Sequence, residues 1–232
     1  MRTVLLANNR LGVDVGRYLA DRGDLAAVVL HPEERSTHGE DLRAIGVPTA
    51  TWPEGLDMVR SIEPEFLLSV LFAYLIPPEW LELATRLALN LHPGLLPFNR
   101  GACPNVWPLV DGSPAGTTLH VMDAEIDTGP ILAQREVPTF PEDTALTLYR
   151  RLEVASMHLL EECWPSIGSL EPRAQQPGGS FHRLADLASL DPTEADMDLL
   201  NRLRARTFPP YGAEYTVAGR RYRVRVEIEP LD

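Results

Sequence analysis

Cysteine is scarce in this chain: Cys103 and Cys163 are the only two in 232 residues, far apart and without CxxC or Cys/His spacing. That excludes a disulfide framework and leaves no zinc-ligand pattern, so no metal site is expected. Long hydrophobic runs are missing too. None approaches the roughly 20 apolar residues of a transmembrane helix, so no membrane partner is expected. The N-terminus lacks the basic stretch, apolar run and small-residue cleavage site of a secretory signal, which makes a cytoplasmic protein the expectation. Positive charge is in deficit, with 21 Lys plus Arg against 33 Asp plus Glu and a formal net charge of −12. A nucleic-acid partner requires a basic surface that displaces condensed counterions, so none is expected. Glycine is short where a dinucleotide site would need it. Asn8-Asn9-Arg10-Leu11-Gly12 offers one glycine after the first apolar run, whereas close approach to a pyrophosphate takes the three of G-x-G-x-x-G, which excludes a nicotinamide or flavin reading.

What is present suits one compact domain with a small appendage: 44% of residues are hydrophobic and 23% charged. Continuous apolar runs at residues 3–7, 25–30, 66–72 and 87–91 alternate with an amphipathic stretch ending near Arg22 and a short helix at 78–84, whose prolines fit a first turn. Runs of this kind predict a parallel sheet covered on both faces. Residues 116–122 and 131–137 read as further strands, and 144–164 carry apolar residues at helical spacing. The expected fold class is α/β: an open, mostly parallel (Rossmann-like) sheet with helices on both faces, plus a small C-terminal helix and β-hairpin. A polar, Gly-rich connector at 175–180 separates an expected catalytic domain, 1–174, from an extension, 175–232. In the extension, Thr193-Glu194-Ala195-Asp196 resembles a capping box opening a helix to Arg206, and 213–217 and 220–228 alternate as a hairpin. An isolated hairpin is marginal in water, so it must pack on its own domain or on a second subunit; a homodimer is expected. Its Arg220, Arg221, Arg223 and Arg225 read as edge protection by charge, with a ligand role as the alternative.

The chemistry sits in two segments, Asn90-Leu91-His92-Pro93-Gly94-Leu95-Leu96-Pro97 and Asp123-Ala124-Glu125-Ile126-Asp127-Thr128-Gly129-Pro130. They supply an amide, an imidazole and a carboxylate, the set needed to move an acyl group onto an amine near neutral pH. In an extended segment residues i and i+2 face one side, so Asn90 and His92 point together while Leu91 points into the core. Asn90 and a protonated His92 can donate to a developing oxyanion; alternatively His92 relieves the amine of its proton. Asp127 would orient the imidazole, raise its basicity and hold a proton-relaying water. Cys103 as a nucleophile with His92 as base is disfavoured, because Gly101-Ala102-Cys103-Pro104 carries no signal that would lower a thiol pKa.

These segments resemble the Asn-x-His-Pro-Ser-Leu-Leu-Pro and Asp-x-x-Leu-Asp-x-Gly motifs of formyltransferases that use N10-formyltetrahydrofolate. The resemblance is good over about residues 60–160 and departs at Gly94, where the family has Ser. It implies N10-formyltetrahydrofolate as donor, with Asn90, His92 and Asp127 catalytic. It also implies a pterin pocket drawing on Ser69, Tyr74, Leu75, Ile76, Met122, Asp123, Ala124, Glu125 and Ile126, largely through backbone groups.

Four acceptor classes compete. Methionyl-tRNA formyltransferases carry a large basic C-terminal barrel, for which too few residues remain here. Formyltetrahydrofolate hydrolases add an N-terminal regulatory domain. Glycinamide ribonucleotide formyltransferases have a first loop richer in Gly and Ser and lack the hairpin. Short sugar N-formyltransferases resemble this chain in Asn99-Arg100-Gly101, in residues 104–107 and 143–149, and in 203–211 before the hairpin. A nucleotide-linked aminodeoxysugar is therefore the expected acceptor. Carrier-bound amino acids remain an alternative, and so does a catalytically inert folate-binding protein, against which the intact triad speaks. For the nucleotide sugar, Trp107 or Tyr211 would stack, Arg10 and Arg100 would meet phosphate, and Asn9 or Asn105 would meet hydroxyls. The competing roles are a helix cap for Asn9 and a core aromatic for Trp107.

Overall fold

The computed structural model describes residues 1–191, 193–208 and 210–229. Pro209, within the 203–211 segment singled out above, lies outside them. The described chain forms two compact units, one of residues 1–139 and 143–182, the other of 140–142 together with the chain from Arg183 onward.

The first unit is built on a seven-stranded sheet. Its strands are β1 (Thr3–Ala7), β2 (Leu25–Leu30), β3 (Thr49–Thr51), β4 (Phe66–Val70) and β5 (Leu87–His92), then, after the two-residue β6 (Arg100–Gly101), β7 (Ala115–Val121) and β8 (Ile131–Val137), in the spatial order β3-β2-β1-β4-β5-β7-β8. The first five are mutually parallel, and β7 and β8 add antiparallel at one edge. The chain works outward from β1 to β3 and returns to β4, so the strand order reverses between β1 and β4. Ligands in open α/β sheets bind beyond the C-terminal strand ends near such a reversal.

Successive residues feed opposite faces, which is why these strands read as continuous apolar runs. Leu5, Val28, Phe66, Leu68, Leu89 and Leu91 join a buried cluster with α1 (Arg10–Asp21) and α6 (Ala145–Cys163). Val4, Leu6, Val29, Leu67 and Ala88 join the other, with Val59 of α3 (Leu56–Ile62) and Trp80 of α4 (Pro78–Leu81). Each fully buried leucine contributes roughly 1.5–3 kcal/mol relative to exposure. Two further short helices, α2 (Gly39–Arg43) and α5 (Trp107–Asp111), complete this unit together with β9 (Phe181–His182), which pairs in parallel with β6. Helix α6 starts at a reciprocal box: Thr147 N–H donates to Thr144 Oγ1 (3.2 Å) and Thr144 N–H to Thr147 Oγ1 (2.9 Å).

Several boundaries differ from the sequence expectation. β4 stops at Val70 because Leu71 turns to φ 49°. The helix at Pro78 ends at Leu81, short of residue 84, and β5 runs one residue further, to His92. Strand β3 and helices α2 and α3 lack an apolar run long enough to read. The 175–180 connector packs within the first unit, so that unit continues to His182.

The second unit holds α7 (Met197–Arg206) and the antiparallel hairpin of β10 (Ala213–Val217) and β11 (Arg220–Val224), which stops short of the expected residue 228. Thr193 N–H donates to Asp196 Oδ2 at 2.8 Å just before the helix. Arg221 and Arg223 both pair with Glu214 across the hairpin. Exposed Leu199, Phe208, Tyr211 and Val217 leave the unit apolar on its surface.

Candidate active site

Alternation along β5 builds the site. Leu89 and Leu91 are fully buried in the first cluster, which turns Asn90 and His92 to the opposite face, as i, i+2 spacing requires. Neighbouring strands extend that face: Ser69 of β4 and His120 of β7 are the register partners of Asn90 on its two sides. Ser69, Asn90 and His120 thus make a polar row across three strands. Asp127 arrives on the loop after β7 and meets both β5 side chains. Asn90 Nδ2 donates to Asp127 Oδ1 at 3.2 Å, and His92 Nδ1 lies 3.5 Å from Asp127 Oδ2.

Asp127 is nearly buried, and burial alone would raise its pKa. The facing His92, the His120 contact and the Gly101 N–H, which donates to Oδ2 at 2.8 Å, outweigh that and hold the carboxyl well below the usual range. Burial pushes the His92 imidazole down from its ordinary value; Asp127 and the Asn99 carbonyl pull upward without overcoming it, and His120 adds to the depression. His92 is therefore neutral near pH 7, with a single N–H. Both ring nitrogens face acceptors, Nε2 the Asn99 carbonyl at 3.1 Å and Nδ1 the Asp127 carboxylate at 3.5 Å, and the shorter contact places the proton on Nε2. A proton taken up at Nδ1 meets the carboxylate, and the resulting imidazolium has an acceptor on each side.

Sequence reasoning missed His120. It is 1% exposed, its Nδ1 lies 2.9 Å from the Val121 carbonyl, and its Nε2 lies 3.2 Å from Asn90 Nδ2 and 3.5 Å from Asp127 Oδ1. Nδ1–H donates to the carbonyl, leaving Nε2 to accept from Asn90. The sequence shows only a histidine between Leu119 and Val121 near the end of a strand; its place beside Asn90 comes from the pairing of β7 with β5. Gly94 also has a structural reason. A Cβ there would sit 2.5 Å from His92 Nε2, so glycine leaves room for this imidazole orientation.

The expected pterin residues divide. Leu75 and Ile126 are exposed apolar side chains (66% and 44%), beside exposed Ala124 and Glu125. Ser69 and Ile76 are buried, Tyr74 stacks on Trp52, and Met122 packs against the second cluster. Asp123 shapes its own loop, accepting from Thr128 Oγ1 at 2.7 Å and Glu125 N–H at 3.1 Å.

Most expected acceptor contacts are already engaged within the protein. Asn9 caps α1 by accepting from Gly12 N–H (2.8 Å) and donates to the Val70 (2.8 Å) and Leu71 (3.4 Å) carbonyls, which bridges the reversal point and engages its amide. Asn105 donates to the Ala145 carbonyl. Trp107 is buried, its indole N–H donates to the Ala102 carbonyl, and His182 covers one ring face at 4.0 Å, so stacking on a base is ruled out for that face. Arg10 is exposed and pairs with Asp14, while Tyr211 stacks on Phe208 in the second unit. Arg100 differs, because its Nε is buried without a hydrogen-bond partner among the described residues.

Residues 37–163, more than half of the chain, match the family model described as formyl transferase, and residues 186–230 match that of an N-formyltransferase dimerization C-terminal domain. Among solved structures the chain is similar, over 100% of its length, to a sugar N-formyltransferase from a Shewanella species, at 23% identity with 99% of that chain covered and a TM-score of 0.72. Similarity to a sugar N-formyltransferase candidate from Mycobacterium tuberculosis reaches 27% identity, again over 100% of this chain and 99% of that one, with a TM-score of 0.70. A formyltransferase from Anoxybacillus kamchatkensis, in complex with UDP-4,6-dideoxy-4-formamido-L-AltNAc and tetrahydrofolate, is 29% identical over 88% of this chain and 92% of that one, with a TM-score of 0.59. With the Asn90 amide, the buried His92 imidazole and the Asp127 carboxylate brought together beside β5, the chain belongs to the formyl transferase family.

Proposed function

We propose that this chain transfers a formyl group from N10-formyltetrahydrofolate to the amino group of a nucleotide-linked aminodeoxysugar. The observation that carries the reaction is the Asp127 carboxylate held between Asn90 and His92. The donor supplies a formyl carbon on nitrogen, and attack by a neutral amine places charge on its oxygen and leaves one proton to remove. His92 takes that proton at Nδ1, Asp127 and the Asn99 carbonyl hold the imidazolium, and collapse of the adduct then breaks the bond between the formyl carbon and N10, which takes the proton back as tetrahydrofolate leaves. The Asn90 NH2 group, which faces His120 and Asp127, turns one of its two hydrogens from these acceptors to the charged oxygen, a contribution of several kcal/mol in a preorganised site. Exposed Leu75 and Ile126 offer apolar surface for a flat pterin. Arg100, with its unpartnered Nε, is the contact for an anionic acceptor.

The aminosugar reading is supported by whole-length similarity to a sugar N-formyltransferase and by a neighbour that holds a nucleotide-linked formamido sugar with tetrahydrofolate. The matched dimerization domain and the exposed apolar residues of the second unit support a homodimer. Two free thiols suit the cytoplasm.

Incubation with N10-formyltetrahydrofolate and a panel of nucleotide aminosugars, read by acceptor mass, tests the reading. The chain contains no lysine, so a formyl mass gain reports the acceptor and not side-chain amines of the enzyme. One formyl group on an aminosugar is expected. Formyl release at the same rate with and without amines would make the chain a hydrolase and end the proposal. Sedimentation showing a monomer at micromolar concentration would end the dimer.

A further inference from the structure

We propose that residues 175–182 form a strap that positions His92 and Asp127, with Gln175 and Ser180 as positioning residues; this rests on the formyl-transfer reading of the site. By composition the segment is a linker, rich in Gly and polar residues. Its contacts are those of a clamp.

Backbone conformation around the site calls for one. Asn99, Gly101, Cys103 and Asp127 all have positive φ (59°, 86°, 55° and 56°), on the two loops that face His92. Three of them carry side chains, and such conformations persist only where the surroundings over-determine them. The strap supplies the determining bonds to both loops. Gln175 Nε2 donates to the carbonyls of Asp127 and Gly129, each at 2.8 Å. Ser180 Oγ accepts from Asn99 N–H at 2.9 Å and lies 3.1 Å from Asn99 Oδ1, while the Ser180 carbonyl accepts from Arg100 N–H at 3.0 Å. The His182 carbonyl accepts from Ala102 N–H at 2.8 Å. Gly179 lies so close to Pro97 that a Cβ would stand 2.0 Å from its carbonyl oxygen.

Each strap contact is one step from the chemistry. Ser180 fixes Asn99, whose carbonyl accepts from His92 Nε2 and so places the single imidazole proton. Gln175 fixes the Asp127 backbone at its left-handed turn. Between them, Gly101 N–H holds Asp127 Oδ2. Releasing the strap frees the imidazole to turn and the carboxylate to leave Nδ1, without removing any group that touches a substrate.

The test uses the full chain with Ser180→Ala, Ser180→Thr and Gln175→Glu, the last exchanging the amide donor for an acceptor. We expect Ser180→Ala and Gln175→Glu to lower kcat by about tenfold or more, with the donor KM changed less than about threefold, and Ser180→Thr to recover most of the rate. In the absence of substrates, the His92 ring NMR signals, assigned through His92→Gln, shift in Ser180→Ala and return in Ser180→Thr. Rates within about twofold of the parent in both disrupting variants, with unmoved ring signals, overturn the proposal. Equal loss in Ala and Thr variants also overturns it, since the hydroxyl is then not the agent. If the parent transfers no formyl group, the assigned reaction fails and the ring signals alone judge the strap.

Discussion

Asn90 and His120 stand opposite each other across the β5 and β7 pairing, and Asn90 Nδ2 reaches His120 Nε2 at 3.2 Å. The other hydrogen of the same NH2 group goes to Asp127 Oδ1. The Asn90 amide is therefore aimed by two acceptors, and His120 decides which of its ends faces the carboxylate. His120→Leu removes one acceptor and lets the amide rotate, so kcat should fall about tenfold, on the order of 1.4 kcal/mol in the barrier. His120→Gln returns an acceptor oxygen and should recover part of the rate. Steady-state kinetics of the pair check this, and equal activity in Leu and Gln variants would exclude the aiming role.

The pH dependence follows from the depressed His92 pKa. In the proposed mechanism neutral His92 is the base, so kcat is full above its pKa and falls as pH drops through it. Because burial lowers that pKa, the acidic limb should lie below the ordinary histidine value of about 6.5. Asp127 is the strongest upward pull on His92. Asp127→Asn should move the limb to still lower pH while reducing the plateau, since the imidazolium loses its partner. A pH–rate profile that rises on acidification would identify protonated His92 as the working form instead.

Gly94 gives a third prediction. Gly94→Ala places a methyl carbon 2.5 Å from His92 Nε2, and the ring is what can yield. Turning it breaks the bond to the Asn99 carbonyl and changes the face that Nδ1 presents. We expect a kcat loss of about tenfold or more with Tm nearly unchanged, because the displaced group is a side-chain end and not a core contact. Unchanged kcat alongside an unmoved His92 ring signal would show that the loop absorbs the methyl.

These effects explain how far the sequence could be read. Strands such as β1 and β4 were legible because both faces are buried and the apolar runs are continuous. Asn90, His92 and Asp127 were legible because their chemistry and flanks are local in the chain. Strand β3 was not, since Thr49-Ala50-Thr51 pairs only through its backbone at the sheet edge. His120 was hidden because its role depends on which strand lies beside β5. For Trp107 and Asn9 the sequence left a ligand contact open beside a core or capping role, because it does not show that His182 covers an indole or that Val70 accepts from an amide. The strap was illegible for the same reason: Gln175 and Ser180 act at residues 46 to 81 positions away.

Asp24 carries the last prediction, which concerns stability away from the site. Its side chain, 9% exposed, accepts from the Met1 ammonium at 2.8 Å, Arg22 Nε at 3.0 Å and the Trp164 indole N–H at 3.1 Å. Trp164 is fully buried, so Asp24→Ala leaves its N–H without an acceptor, at a cost of roughly 1–3 kcal/mol. For a chain of this size that lowers Tm by about 5 °C. The sign with pH is also determined. Burial alone would raise the Asp24 pKa, but the N-terminal ammonium, Arg22 and Trp164 outweigh it and lower it below the ordinary carboxylate value. The ionised form's contribution is thus full above about pH 3.9 and lost as pH falls through the depressed folded pKa. Thermal melts of Asp24→Asn, which keeps an acceptor for Trp164 and removes the charge, should differ from the parent near neutral pH and converge with it in acid. A gap that stays constant with pH would assign the effect to packing and not to charge.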